Sequence, residues 1–142
     1  MGEKPFSVPS KLPAEIKVLI DAVLGGFNAM DSVRYSSAFS GDAVIIDGIA
    51  PYRWTGPNAP ARWFSDGEKW VHDFGVVNEN IVCDRTVHAS IARTHAYVVL
   101  SGSLSFNLKG GQSGSKPGIL TFTFAKQGDK WKVESQTWSR LT

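Results

Sequence analysis

Apolar residues recur at spacings of three and four in two segments of the first half of the chain, which is the pattern of amphipathic helices. The first segment runs from Pro13 to Phe27 and the second from about Ala59 to Phe74. Between them, Asp31 or Ser32 is a typical N-cap for a short helix that continues through Phe39. In the first helix the apolar face consists of Ile16, Leu19, Ile20, Val23, Leu24 and Phe27.

The apolar face of the third predicted helix is largely aromatic. It carries Trp63, Phe64, Trp70, Val71 and Phe74, and Gly67 falls on the same face. Because glycine has no Cβ, we expect another part of the backbone to pack closely at that position.

After "VVNEN", residues 76–80, the pattern changes to longer segments that are rich in β-branched and aromatic residues, which predicts strands. The strands are expected over Ile81–Ile91, Ala96–Phe106, Ile119–Ala125 and Trp131–Trp138, with an earlier short strand at "AVIID". The segments "ART" and "KQGDK" are expected to be hairpin turns, and "KGGQSGSKPG" a longer mobile loop. Helices followed by an antiparallel meander indicate an α+β fold.

Composition and charge narrow the class of protein. A chain of 142 residues with 42% hydrophobic and 20% charged residues is typical of a single globular domain. The formal net charge is +2, and the Lys and Arg residues are scattered singly among acidic residues. The absence of a basic cluster in the sequence argues against nucleic acid as a partner. The lone cysteine, Cys83, is interpreted as a small buried strand residue rather than a nucleophile.

The first residues, "MGEKPFSVPSKLP", contain no apolar stretch of the kind that a secretion signal carries. No segment of the sequence is long and apolar enough to be expected to cross a membrane. We therefore expect a cytoplasmic protein without a membrane partner. Residues 1–12 are expected to form a flexible N-terminal arm.

Four passages resemble the nuclear transport factor 2-like superfamily, in its SnoaL-like and ketosteroid-isomerase-like branch. They are "YSSAFSGDAVIIDG", "WTGPNAPARWF", "AYVVLSGSLSF" and "GDKWKVESQTWS", and together they span nearly the whole chain. The resemblance implies a cystatin-like α+β roll, in which a strongly curved antiparallel sheet wraps around three helices and encloses an apolar cavity. It also implies a homodimer that associates through the outer sheet face.

Asp47 directly follows the apolar run of the first strand, and the resemblance aligns it with the general base of the ketosteroid isomerases. A carboxylate in a dry site has a raised pKa, which makes it a usable acid or base near neutral pH. The alternative is that Asp47 is a turn residue that binds nearby backbone amides before Gly48. The sequence leaves both interpretations open.

The remaining isomerase machinery is incomplete. Val23 stands at the position where those isomerases carry a tyrosine that donates to the oxyanion, so authentic steroid isomerase activity is not expected. Tyr35 and Tyr52 are alternative sources of a hydroxyl group, and each is also a candidate for plain packing.

Histidines offer a second kind of site, because dehydratases of this superfamily use pocket histidines together with an aspartate. A group of Asp47, His72 and His88 is therefore a candidate, and His88 is included among the catalytic candidates with Asp47 and Tyr35. No histidine spacing predicts a metal site, and no cofactor is expected. Asp84 and Arg85 resemble a pair used by epoxide hydrolases of this fold, but a cross-strand ion pair on the surface is the favoured interpretation.

The sequence thus predicts a domain that binds a small hydrophobic, ring-containing molecule. If the protein is an enzyme, it is expected to be an isomerase or cyclase, or a dehydratase-type lyase, that needs no cofactor and uses Asp47 as acid or base. The alternative is a non-catalytic module of the same fold for ligand binding or dimerisation. The residues expected to line the pocket are Trp54, Trp63, Tyr52, Val23, Phe27 and Trp138.

Overall fold

Three helices pack on one side of a sheet in the computed structural model, which describes residues 12–141. They are α1 (Ala14–Asn28), α2 (Ser32–Ser37) and α3 (Ala59–Asp73), close to the predicted bounds. The side chain of Asp31 caps α2 by accepting from the backbone N–H of Arg34 at 3.0 Å, as the sequence indicated. None of the helices in residues 12–141 has the length and apolar character that a membrane crossing requires.

The six strands are β1 (Phe39–Ile46), β2 (Arg53–Trp54), β3 (Val76–Ile91), β4 (His95–Leu108), β5 (Ser113–Gln127) and β6 (Lys130–Arg140). They form one curved sheet in the order β2-β1-β6-β5-β4-β3. Neighbouring strands are antiparallel except β1 and β6, which are parallel. Register shifts between β3 and β4 mark bulges, which bend a sheet. The expected α+β roll with a cystatin-like curved sheet is confirmed.

The predicted long loop over residues 109–118 is wrong, because most of it is strand. β4 continues to Leu108 and β5 begins at Ser113, so that only residues 109–112 form the turn. Pro117 is tolerated in the sheet because β6 pairs with β5 only as far as Gly118. The carbonyl of Pro117 accepts from the N–H of Leu141 at 3.1 Å, and the N–H that proline lacks would point to that same side, beyond the last paired residue of β6.

Two glycines have opposite surroundings in the packed helices. A Cβ on Gly26 would lie 2.6 Å from the backbone nitrogen of Tyr35, so this glycine allows α1 and α2 to approach closely. A Cβ on Gly67 would meet no atom within 4 Å. The expected backbone contact at Gly67 is therefore absent from the described part of the chain, and the position borders a cavity instead.

The N-terminal arm expected over residues 1–12 lies outside the described residues, apart from Leu12. Leu12 is buried in the core beside the helices. The largest fully buried side chains come from both layers, which places the core between the helices and the concave face of the sheet. They are Tyr35, Phe122, Phe124, Ile16, Ile45, Leu100, Val98 and Val133.

Candidate functional site

A cavity of about 330 Å³ lies between α1, α3 and the concave face of the sheet, and we call it the central cavity. Its volume falls within the range of ligand pockets, which is roughly 300–1,000 Å³. Most of its wall is apolar or aromatic. The apolar lining includes Val23, Leu24, Phe27, Ile49, Trp63, Phe64, Trp70, Val71, Phe74, Ile81, Leu104, Phe106, Leu120 and Trp138.

Asp47 lines this cavity and is also a turn residue, so both interpretations of the sequence describe part of its role in the structure. One carboxylate oxygen, Oδ2, accepts a hydrogen bond from Nε1 of Trp63 at 2.7 Å. The other, Oδ1, accepts from the backbone N–H of Gly48. The two contacts fix the carboxylate directly after the end of β1, where it forms part of the cavity wall.

Burial raises the pKa of Asp47 above its ordinary value. The hydrogen bonds from Trp63 and Gly48 and the nearby positive charge of Arg140 act in the opposite direction, because they stabilise the ionised form. Asp47 is thus a desolvated carboxylate that two donors hold in place, which is the character expected of a proton acceptor in an apolar site.

Glu79 on β3 is a second carboxyl group in the wall of the central cavity, and the sequence analysis did not identify it. Burial raises its pKa to about 7, with a further contribution from the negative charge of Asp47. The strand was predicted to begin at Ile81, after "VVNEN", so Glu79 fell outside it. An available signal was the alternation of Glu79 with Ile81 and Cys83, which places the three on one face of a strand.

Tyr35 and Gln136 form a buried polar pair at the cavity. The hydroxyl of Tyr35 donates to Oε1 of Gln136 at 2.9 Å, and both residues line the central cavity. Their side chains are almost completely buried, with 1% exposure for Tyr35 and 4% for Gln136. The hydroxyl that we expected to face a substrate is therefore engaged with a neighbouring side chain. Gln136 was not identified from the sequence, although it lies within the quoted passage "GDKWKVESQTWS".

Trp54 and Tyr52, which were expected to line the pocket, lie elsewhere. Trp54 is 2% exposed and donates from Nε1 to Oδ2 of Asp66 at 2.8 Å, outside the cavity. Its strand pairs with β1 at the edge of the sheet, and the indole lies against the middle of α3, where Asp66 is located. Tyr52 is 60% exposed in the turn before β2, where the backbone has a positive φ of 73°.

The expected histidines are also absent from the cavity wall within residues 12–141. His88 is exposed on the convex face of the sheet, where its ring lies 5.9 Å from that of Tyr97. It faces outwards because its partner in β4, Val99, lies between the inward-facing Val98 and Leu100. His72 is 79% exposed beside Asp73. A group of Asp47 with His72 and His88 is therefore not formed.

Val23, Phe27, Trp63 and Trp138 lie at the central cavity, where the sequence analysis expected them. Cys83 is half-buried against the core. Arg85 donates to the hydroxyl of Ser101 on β4 at 3.4 Å, instead of forming the cross-strand ion pair that we expected. Within residues 12–141, no three His, Cys, Asp or Glu side chains come together in a way that would hold a metal ion.

Solved structures with the same fold share little sequence with this chain. A hexachlorocyclohexane dehydrochlorinase from Novosphingobium barchaimii matches with a TM-score of 0.77 at 15% identity, over 91% of this chain and 86% of that one. A nuclear transport factor 2-like superfamily protein from Salmonella enterica matches with a TM-score of 0.74 at 13% identity, over 95% and 94%. A protein with a cystatin-like fold from Caulobacter vibrioides matches with a TM-score of 0.69 at 15% identity, over 91% and 89%.

No curated protein matches the chain at a significant level of sequence similarity. The structural matches establish the shared fold, as expected from the resemblance of the sequence to the nuclear transport factor 2-like superfamily. The profile of one family within that fold matches residues 16–142, which is most of the chain. The protein belongs to the SnoaL-like domain family.

Proposed function

We propose that the central cavity binds a small hydrophobic molecule with one or more rings, and that Asp47 moves a proton on that molecule without the help of a cofactor. The observation that carries this proposal is the placement of the Asp47 carboxylate, held by Trp63 at 2.7 Å, in the wall of a largely apolar cavity of about 330 Å³. Flat indole and phenyl faces favour ligands with rings, since such surfaces bury apolar area and stack. The fold is compatible with chemistry on such compounds, because a hexachlorocyclohexane dehydrochlorinase adopts it.

The position of Asp47 favours proton transfer over a purely structural role. A turn aspartate needs only backbone amides as partners, and one oxygen of Asp47 has such a partner in Gly48. The second oxygen is held by a side chain from α3, across the cavity wall. Because burial raises the pKa of the carboxyl group, its ionised form is a stronger base than an aspartate on the surface.

A suitable probe of this chemistry is 5-nitrobenzisoxazole, a two-ring compound that reacts when a base removes its ring C–H proton. The electron pair of that bond completes a nitrile, the N–O bond breaks, and a coloured phenolate is released, so no other reactant is needed. We expect the protein to catalyse this elimination. Asp47→Asn should lower the rate by about 100-fold or more, which is the usual contribution of a general base.

Binding must be measured separately from turnover. Tetralin, a hydrocarbon with two fused rings, is a suitable probe, and its binding should change the tryptophan emission because Trp63, Trp70 and Trp138 line the cavity. Asp47→Asn should retain tetralin affinity. Asp66→Asn is the matched control, because this carboxylate also accepts from a tryptophan but lies outside the cavity. The control should leave both binding and turnover unchanged.

The outcomes separate the two classes of function. Turnover that is equal in the parent and in Asp47→Asn would exclude the catalytic role and leave a ligand-binding module. Failure of the parent to bind either tetralin or 5-nitrobenzisoxazole would overturn the proposal for the cavity as a whole.

Association with a second copy through the outer sheet face is proposed as an additional function of the fold. Val82 on β3 and Tyr97 on β4 support it, since they are 53% and 43% exposed on the convex face. We expect a mass of two chains in sedimentation at micromolar concentration, and a shift to one chain in Tyr97→Lys. Val33→Lys, at an exposed position on α2, is the control that should leave the mass unchanged. A parent protein with the mass of one chain would contradict the dimer.

A further inference from the structure

Gln136 is a buried polar side chain whose amide nitrogen faces the central cavity. It lies on β6 between β1 and β5, opposite Ile45 and Phe122, so its backbone is fixed in the middle of the sheet. The residue is 4% exposed, and it contributes to the cavity wall. Nε2 is not sealed in the protein, because the enclosed side-chain polar atoms that lack a partner are, within the described residues, Ser36 Oγ and Thr86 Oγ1. The cavity can therefore reach this donor.

The contact with Tyr35 sets the orientation of the amide. Tyr35 is 1% exposed and its hydroxyl donates to Oε1 of Gln136 at 2.9 Å. Burial raises the pKa of Tyr35 well above its ordinary value, and the charge of Asp47 raises it further, so the hydroxyl keeps its proton and acts as a donor. The carbonyl end of the amide is thereby directed towards Tyr35.

The other end of the planar amide then points away from Tyr35. Within the described residues, Nε2 of Gln136 makes no hydrogen bond, whereas Oε1 has its partner. An NH₂ group can only donate, so the group that would satisfy it is an acceptor. Asp47 is not this acceptor, because the donors to its two oxygens are Trp63 and Gly48 and not Gln136.

We propose that Gln136 determines which ring compounds the cavity accepts, by donating from Nε2 to an oxygen atom of a neutral ligand, and that Tyr35 positions this amide. The ligand class is a ring compound with an acceptor oxygen, as in a ketone, lactone or ether. This inference rests on the proposed function, because it concerns the ligand of the same cavity. It also gives Tyr35 the role of a positioning residue rather than a direct partner of the substrate.

The test compares tetralin with 2-tetralone, which has the same two-ring skeleton and one carbonyl oxygen. The quantity measured is the ratio of their dissociation constants, which removes the effect of general packing. Gln136→Met keeps the length of the side chain but has no donor. In this variant we expect 2-tetralone to lose roughly 3- to 10-fold in affinity relative to tetralin, whose own affinity is retained.

Tyr35→Phe should change the ratio in the same direction by a smaller factor, because the amide is then free to rotate while its donor remains. A merely structural role of Tyr35 would change both affinities equally. Since Gln136→Met leaves the Tyr35 hydroxyl without its acceptor, the double variant Tyr35→Phe with Gln136→Met is also required. Replacing both partners avoids an orphaned polar group, so this variant should fold and still discriminate against the ketone.

Lys116→Met is the control, because Lys116 is an exposed donor at the cavity rim. A ratio that changes in Lys116→Met and not in Gln136→Met would overturn the inference and assign recognition to the rim. An unchanged ratio in the double variant would overturn it as well. Both results leave the proposed function intact, whereas failure of the parent to bind either compound would overturn the function itself.

Discussion

Nε1 of Trp63 donates to Oδ2 of Asp47 over 2.7 Å, and this contact joins the N-terminal half of α3 to the end of β1. The indole ring also stacks on Tyr35, with ring centroids 5.3 Å apart. One aromatic side chain therefore orients the carboxylate and packs against the residue that binds Gln136. The polar groups of the cavity are in this way connected through Trp63.

Replacing Trp63 by Phe tests this connection, because it removes the donor and keeps an aromatic ring. The hydrogen bond lowers the pKa of Asp47, so its loss should raise that pKa further. We expect the midpoint of the Asp47 titration, followed by carbon-13 NMR of the carboxyl group, to move to higher pH. The free energy of unfolding at pH 7 should fall by about 1–3 kcal/mol, the usual effect of removing a hydrogen bond to a charged group.

Trp54→Phe is the matched control for this experiment. It removes an equivalent indole hydrogen bond, from Trp54 to Asp66 at 2.8 Å, outside the central cavity. It should also lower stability but leave the titration of Asp47 in place. An Asp47 titration that is the same in Trp63→Phe and in the parent would show that the indole does not govern the carboxylate.

The helical periodicity and the resemblance identified part of this site from the sequence. The three-and-four spacing placed Trp63 and Phe27 on inward faces, and the resemblance placed Asp47 at the cavity. Trp54 was misplaced because a two-residue strand at a sheet edge has no periodicity from which its direction could be inferred. His88 was misplaced because it was chosen from the resemblance to dehydratases and not from strand alternation. It is seven positions from the inward-facing Ile81, which places it on the opposite face, and the two bulges between them leave that face unchanged.

The polar pair of Tyr35 and Gln136 could not be inferred from local pattern, because the two residues are 101 positions apart. Their contact depends on where α2 lies, and Gly26 allows α2 to pack closely on α1. Glu79 was missed because the predicted β3 began at Ile81, whereas the strand begins at Val76. The sequence therefore predicts the fold and the apolar wall better than the polar contacts, which depend on tertiary packing.

Gly26 and Gly67 should respond to alanine in opposite directions. Gly67→Ala adds a methyl group in open space on α3 and should stabilise the protein by up to about 1 kcal/mol, the difference in helix propensity. Gly26→Ala places a Cβ 2.6 Å from the backbone nitrogen of Tyr35 and should destabilise it by about 1–3 kcal/mol. Urea unfolding of the two variants measures the difference, and each serves as the control for the other. A similar change of stability in both would contradict the packing described for α1 and α2.

Cys83 should be a slow nucleophile in the folded protein. Burial raises the pKa of its thiol to about 12, with a further contribution from the negative charge of Asp84. Because the thiolate is the reactive form, its fraction at pH 8 should be roughly 1,000-fold lower than for a thiol with the ordinary value of 9.0. Alkylation by iodoacetamide should therefore be fast only in urea. Modification at equal rates in the native and the unfolded protein would contradict this environment.

Glu79 should make the stability of the protein depend on pH in a defined window. Its pKa is raised from 4.5 to about 7 in the folded state, mainly by burial. Between these values the folded protein holds a proton that the unfolded chain has released, so stability falls as the pH rises through this range. The stabilising contribution of the protonated Glu79 carboxyl group is fully present below pH 4.5 and is lost above pH 7.

Glu79→Gln removes this dependence, because glutamine resembles the protonated acid at every pH. The variant and the parent should be about equally stable at pH 4, and at pH 8 the variant should be more stable by about 1–2 kcal/mol. This is less than the roughly 1.4 kcal/mol per pKa unit of a fully buried group, because Glu79 is partly exposed. Glu68→Gln, at an exposed position of the cavity rim, is the control and should follow the parent. Asp47 is present in all three proteins, so the difference between their urea midpoints isolates the effect of Glu79. If the stability of Glu79→Gln changed with pH in parallel with that of the parent, the carboxyl group of Glu79 would not be desolvated.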